Sequence, residues 1–251
     1  MLEGALFEAR TGNVMIARKL FKYLISHVPW YGPIYFEAFR LEEKEHRDEA
    51  AYEIILRGLN ELPRYGPLWF GLFRIMERKD AAIENRAWQQ GSRPKLMHMV
   101  HETSRAVRLI SKELTWKVHF ERSQCEERAA EIAALGKHLH STLTLQQCRD
   151  EMLRDARLSL TRSLLTCPGN LRWRVLLVGA RLELGVGAID KARALLRRAA
   201  KEVPVKSKSY VYLECSRVEE YCGNLDTARV LLARAKREQE GEYVAFFNVF
   251  C

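Results

Sequence analysis

WYGPIYFEAFRLEEK at residues 30–44 returns as RYGPLWFGLFRIMER at residues 64–78. Tyr31, Gly32 and Pro33 recur as Tyr65, Gly66 and Pro67, a period of 34 residues, and Pro29 and Pro63 keep the same spacing. Each copy follows an amphipathic run that stops at its proline, a residue that cannot continue a helix. Self-similarity at this period is the signature of stacked helix hairpins, none of which can bury its apolar face alone. The pattern predicts an all-α solenoid of antiparallel helix pairs, about five to six of them.

Working outward, a fixed frame accompanies the repeat. Glu8, Gly12 and Ala17-Arg18 precede LFKYLISHV and Pro29. Glu183, Gly187 and Ala192-Arg193 lead into ALLRRAAKEV and Pro204, and Glu219, Gly223 and Ala228-Arg229 into VLLARAKRE. In all three copies glutamate to glycine is four residues and glycine to alanine five. Ala156-Arg157 stands 36 residues before Ala192-Arg193, as Pro168 does before Pro204. The second copy keeps Glu42 and Ala51 but has His46 where the others have glycine. Glycine supplies the backbone freedom for a tight turn between helices, and the small alanine lets two helices approach closely. Seven residues before the glutamates stand the large side chains Tyr35, Leu176 and Tyr212; Trp69 holds that place in the third copy, where Met76 replaces the glutamate.

This frame, from aromatic through glutamate, glycine and Ala-Arg to the closing proline, resembles the half-a-TPR (HAT) repeats, TPR-like helix pairs of RNA-processing factors. The resemblance covers residues 3–79 and about 151–240. It implies a right-handed superhelix whose first helices line the concave surface. It also implies a non-catalytic scaffold for protein–protein interaction in an RNA-processing assembly of the splicing, 3′-end or rRNA-processing type, with the nucleus as the expected compartment and an organelle as the alternative.

The organisation expected is therefore repeats over 3–79, a degenerate helical repeat with an inserted connection over 80–150, repeats again over 151–240, and an apolar tail over 241–251. In the middle segment LTWKVHFERSQCEER reads as a first helix, LRDARLSLTRSLLTC as its mate, and GSRP at 91–94 as a break. A linker between two arrays is the other reading of that segment. The tail, GEYVAFFNVFC, is expected to cap the array, to begin a further repeat, or to form a homodimer contact.

Composition narrows the function classes. No apolar run approaches the ~20 residues that span a bilayer, and no basic-then-apolar leader opens the sequence. A soluble intracellular protein with no membrane partner is expected. The six cysteines form no CxxC, which favours free thiols over a zinc or disulfide framework. The formal charge is +9, and residues 151–251 carry 18 Lys+Arg against 12 Asp+Glu, whereas residues 1–79 carry 12 against 11. A basic half suits an acidic partner, RNA or a polyacidic protein surface, and equally a solvated helix face.

No sequence feature names a reaction. GxxxxGK[ST], GxGxxG and GxSxG are absent, and Gly185 and Gly187 make only a GxG whose second member the repeat turn explains. His98 with His101, and His138 with His140, have no acidic or thiol neighbour at metal-site spacing, so neither metal nor cofactor is expected. Trp30, Tyr35, Phe36, Phe39, Trp69, Phe70, Phe73, Trp116, Phe120, Trp173 and Tyr212 recur at helical spacing and read as core between helix pairs. A frame glutamate and the arginine of its own hairpin mate are expected to pair across the packed interface.

One set of residues falls outside the frame's needs. Arg40, Arg74, Arg181 and Arg217 each stand two residues before the glutamate position, and two steps on a helix turn a side chain by about 200°. They are predicted to project away from the glutamate side as a cationic ladder for phosphates or peptide carboxylates. Glu37 and Glu214, three residues before Arg40 and Arg217, offer local pairing instead. Arg197, Arg198, Lys201, Lys206 and Lys208, with Arg234, Lys236 and Arg237, form a second basic patch on the second helices. Protein partners are the first expectation, with single-stranded RNA along the first helices, or acidic peptides held by a generic TPR adaptor, as rivals.

Overall fold

The computed structural model describes the backbone of residues 1–250 and the side chains of residues 1–239. The expectations for the tail at 241–251 turn on side chains outside the described residues. Among the described residues the chain is helical throughout, with no strand. The helices are α1 (Leu2–Arg10), α2 (Val14–His27), α3 (Gly32–Lys44), α4 (Asp48–Glu61), α5 (Gly66–Gln89), α6 (Met97–Leu109), α7 (Thr115–Leu139), α8 (Leu145–Met152), α9 (Arg154–Thr166), α10 (Arg172–Gly185), α11 (Ile189–Glu202), α12 (Lys208–Tyr221) and α13 (Leu225–Phe250). Short 3₁₀ turns lead into α7, α10 and α12, the last two beginning just after Pro168 and Pro204. The segment 80–150 holds the end of α5, all of α6, all of α7, which contains Trp116, and most of α8; GSRP lies in the break between α5 and α6.

The chain divides into two compact units, Met1–Arg86 with Lys95–Arg122, and Ala87–Pro94 with Ser123–Cys251. In the first, Tyr35, Phe39, Trp69 and Leu72 are fully enclosed between helices. The Trp69 indole N–H donates to the Pro63 carbonyl at 2.8 Å, tying the aromatic of one first helix to the proline that precedes it. In the second, Trp173, Leu176, Leu177, Leu196 and Val211 form one cluster with Ala180, Ala192 and Ala199. The frame alanines Ala17, Ala51, Ala156 and Ala192 are fully buried, and Ala228 nearly so, as close approach of a second helix to the first helices it packs on requires. Trp30, read as core, is instead 70% exposed, because it lies in the turn between α2 and α3 and not on the buried stripe of α3.

The turns explain the frame. Gly12, Gly187 and Gly223 have φ of +86°, +76° and +78°, and His46 adopts φ +56° at the same place. That left-handed residue brings the next backbone N–H onto the carbonyl five residues back: Asn13 on Glu8, Arg47 on Glu42, Ala188 on Glu183 and Asn224 on Glu219, at 2.8–2.9 Å. This is the 6→1 bond of a Schellman stop, and the frame glutamate is the residue whose carbonyl accepts it. The third copy has Asp80 where the glycine should be. No left-handed residue ends the helix there, and α5 runs on to Gln89.

Candidate interaction surface of the first helices

The frame charges are consumed in the structure itself. Arg18 on α2 donates from Nε and Nη2 to both oxygens of Glu42 on α3, at 2.7 and 2.9 Å. Arg157 on α9 does the same to Glu183 on α10 (2.7 and 3.0 Å), and Arg193 on α11 to Glu219 on α12 (2.9 and 2.8 Å). Each clamp joins the second helix of one hairpin to the first helix of the next. The expected pairing within a hairpin is therefore corrected: the mate's arginine faces onward along the stack. At the ends of the series Glu8 accepts from Asn13 Nδ2 and Arg229 pairs with Asp226. Hydrogen bonds from Arg193 and Asn224 hold the Glu219 carboxyl below its ordinary value, and the Glu42 bond raises that of Arg18. Two charges locked bidentately beside the core hold neighbouring hairpins in register.

The ladder arginines sit elsewhere. In the first unit Arg40 lies over the Phe36 ring and donates to Glu37 at 3.2 Å. Arg74 lies 5.3 Å from the centre of the Phe39 ring and donates to Glu43 on the preceding first helix at 3.0 Å. Glu43 also accepts from Arg78 at 2.9 Å; burial pushes its carboxyl up, but these two guanidinium bonds outweigh it and hold it below the ordinary value. Lys117 completes the row 4.3 Å from the Phe70 ring centre. In the second unit Arg181 on α10 and Arg217 on α12 converge on one oxygen of the buried Glu214. Glu127 of α7 lies near enough to Arg181 to feel its charge, yet burial and the neighbouring Glu131 raise its pKa.

Each ladder arginine thus has one edge of its guanidinium held by a glutamate, and each side chain is still about half exposed. The two-residue offset predicts that these arginines turn away from the frame glutamates. It does not give the partners Glu43 and Glu214 on adjacent first helices, 31 and 33 residues away from Arg74 and Arg181. Glu214 did carry a periodic signal, since it stands five residues before Glu219 as Glu37 does before Glu42; at the place of Glu43 the other copies have Ala9, Leu184 and Glu220.

In the second basic patch Arg198 pairs with Glu202 at 2.9 Å, Arg234 lies over Tyr212, and Lys201 and Lys206 are exposed. The histidines are accounted for locally: His98 on Asp80, His101 on Glu102, and His138 on the Leu143 carbonyl. Among the described residues no three His, Cys, Asp or Glu side chains are grouped to hold a metal, and the five described cysteines are unbridged. No helix of these residues is long and apolar enough to cross a membrane.

Sequence reasoning missed one site of polar order. Asp80 is buried and accepts from the backbone N–H groups of His98 and Met99 at 3.1 and 2.8 Å, and Glu84, one turn on, accepts from those of Lys95 and Leu96 at 2.9 and 3.0 Å. Two carboxylates of α5 thereby cap the N-terminus of α6, where the helix dipole favours them. The departure of residue 80 from glycine was the available clue.

A repeated hairpin with a Schellman stop and an inter-hairpin Arg–Glu clamp defines an α-helical repeat array. The chain belongs to the family described as PRP6, TPR-like domain, which matches residues 1–250. A TPR-containing protein of Dictyostelium discoideum is 41% identical over 132 residues, 53% of this chain; the match spans 9% of that relative's length. Among solved structures, the C-terminal part of a TPR repeat-containing protein from Cytophaga hutchinsonii covers 95% of this chain and 94% of its own, at 13% identity and a TM-score of 0.31. TPR-like domains of this kind mediate protein interactions and are generally non-catalytic.

Proposed function

We propose that this chain is a non-catalytic scaffold that gathers protein partners within an RNA-processing assembly, in the nucleus, and that it holds them through the first-helix arginines Arg40, Arg74, Arg181 and Arg217. Family membership and the resemblance of the frame to HAT arrays support the assembly. The observation that carries the surface is the contrast between two sets of arginines. Frame arginines are bidentate to carboxylates beside the core and only a quarter to a third exposed, whereas ladder arginines are about half exposed and keep a free edge, Arg74 included although it too is bidentate, to Glu43. A partner carboxylate can add to that free edge without dismantling the fold.

The experiment is affinity purification of the full-length protein with and without RNase, beside variants carrying Arg40→Glu/Arg74→Glu or Arg181→Glu/Arg217→Glu. The expected result is that partners recovered with the wild type persist after RNase and include RNA-processing factors, and that one or both reversals remove them. Partners that vanish with RNase would move the reading to RNA as the bridge, and partners unaffected by either reversal would remove the ladder.

A further inference from the structure

The second-helix side of the first unit carries a groove that the scaffold reading does not use. Its cavity of about 490 Å³ runs between α2 and α4 with α3 as its floor. Phe21, Ile25, Ala38 and Ile54 supply apolar surface. Arg18, Lys22, Arg47 and Arg57 stand around it against Glu42 and Glu53. Glu42 is already taken, bidentate to Arg18 and 3.6 Å from Arg47. Lys22 and Arg57 are exposed, and neither makes an ion pair among the described residues. The groove is therefore apolar below and keeps two unspent cations at its rim, one on each wall, beside one exposed carboxylate, Glu53 on α4.

The second unit contains the same groove as an internal comparison. Between α9 and α11, over α10, a cavity of about 280 Å³ is lined by Leu160, Leu164, Gly179 and Leu195, with the Arg157–Glu183 clamp at the position of Arg18–Glu42. There Thr161 replaces Lys22, and Arg198, the counterpart of Arg57, is bonded to Glu202. Repeat geometry makes both grooves, because each second helix packs on its own first helix and on the next one, which leaves successive second helices apart. Only the first unit adds free positive charge.

We infer that the α2–α4 groove is a second docking site, and that its occupant is an amphipathic segment of a partner protein with apolar residues on one face and Asp/Glu on the other. Such a helix lays its apolar side on the half-buried Ile54, above the buried floor of Phe21, Ile25 and Ala38, and sets carboxylates against Lys22 and Arg57. The inference rests on the scaffold reading of the chain and adds the chemistry of a partner at a different face.

The test uses three fluorescein-labelled probes: a synthetic helix with leucine at i, i+3, i+4 and i+7 and glutamate on its other face, the same helix with lysine for glutamate, and an oligouridylate. The glutamate helix is expected to bind the wild type. Lys22→Glu/Arg57→Glu should weaken it about tenfold, while Thr161→Glu/Arg198→Glu and Arg40→Glu/Arg74→Glu leave it within about twofold. Lys22→Gln/Arg57→Gln should weaken it as well and serves if the reversal impairs folding, which circular dichroism reports. No binding of the glutamate helix, equal binding of the lysine helix, tighter binding of the oligouridylate, or indifference to both rim variants overturns the inference. None of these results touches the recovery of RNase-resistant partners, so failure of the groove and failure of the scaffold reading are separate outcomes.

Discussion

His46 occupies a left-handed backbone position that three sister turns give to glycine, at φ +56°. A side chain there meets the following carbonyl, at a cost of roughly 1–2 kcal/mol, part of which glycine forfeits through its freer unfolded chain. His46→Gly should stabilise the protein by roughly 0.5–1 kcal/mol, read as a rise in the urea midpoint with unchanged slope; a lower midpoint would mean the imidazole makes a contact the turn needs. Glu127, inside α7, is a second residue whose replacement should stabilise the fold. Burial, then Glu131, raises its carboxyl above the ordinary 4.5, with Arg128 and Arg181 only partly offsetting them. A carboxyl raised in the native state weakens folding above its native pKa and has no effect below its unfolded one. Glu127→Gln should therefore raise Tm at neutral pH, and the gain should fade as pH falls and vanish below about 4.5. A gain that grew on acidification would contradict the burial of that carboxyl.

Between elements, two devices hold hairpins in register. Asp80 gives both its oxygens to the start of α6. Asp80→Ala would strand two backbone donors and cost roughly 2–3 kcal/mol, with hydrogen exchange accelerating first in the opening turn of α6. Unchanged protection there would show that other groups satisfy that end. The Arg157–Glu183 clamp is the other device, with both side chains largely sheltered and Arg157 also bonded to Asp150 at 2.7 Å. In a double-mutant cycle through Arg157→Ala and Glu183→Ala the coupling should be about 1–3 kcal/mol, and a value near zero would make the clamp a bystander of packing. The clamp also accounts for the closing proline's place in the repeat: the second helix must end so that the next first helix can return its glutamate to the arginine behind it.

For the molecule as a whole, the +9 charge and the surplus beyond residue 150 set its long-range behaviour. Much of that charge is paired in the structure, at the clamps, at Glu214 and at Glu202. Any attraction for RNA should accordingly be weak, indifferent to sequence, and lost by about 0.2 M salt. Filter binding of labelled RNAs across a salt series checks this, and retention of one sequence at high salt would point to a built RNA site.

The 34- and 36-residue periods determined the helix hairpins, the left-handed turns and the burial of the frame alanines, because each hairpin must repeat the same packing against its neighbour. The offset of two residues set the expectation that the ladder arginines turn away from the frame glutamates. Which glutamate each arginine meets was decided by the tertiary structure alone, as with Arg18 on Glu42 and Arg74 on Glu43, since a partner on the next hairpin is local in space and remote in sequence. The same holds for Asp80: a missing glycine tells that a helix goes on, and only packing tells which backbone its buried carboxylate caps.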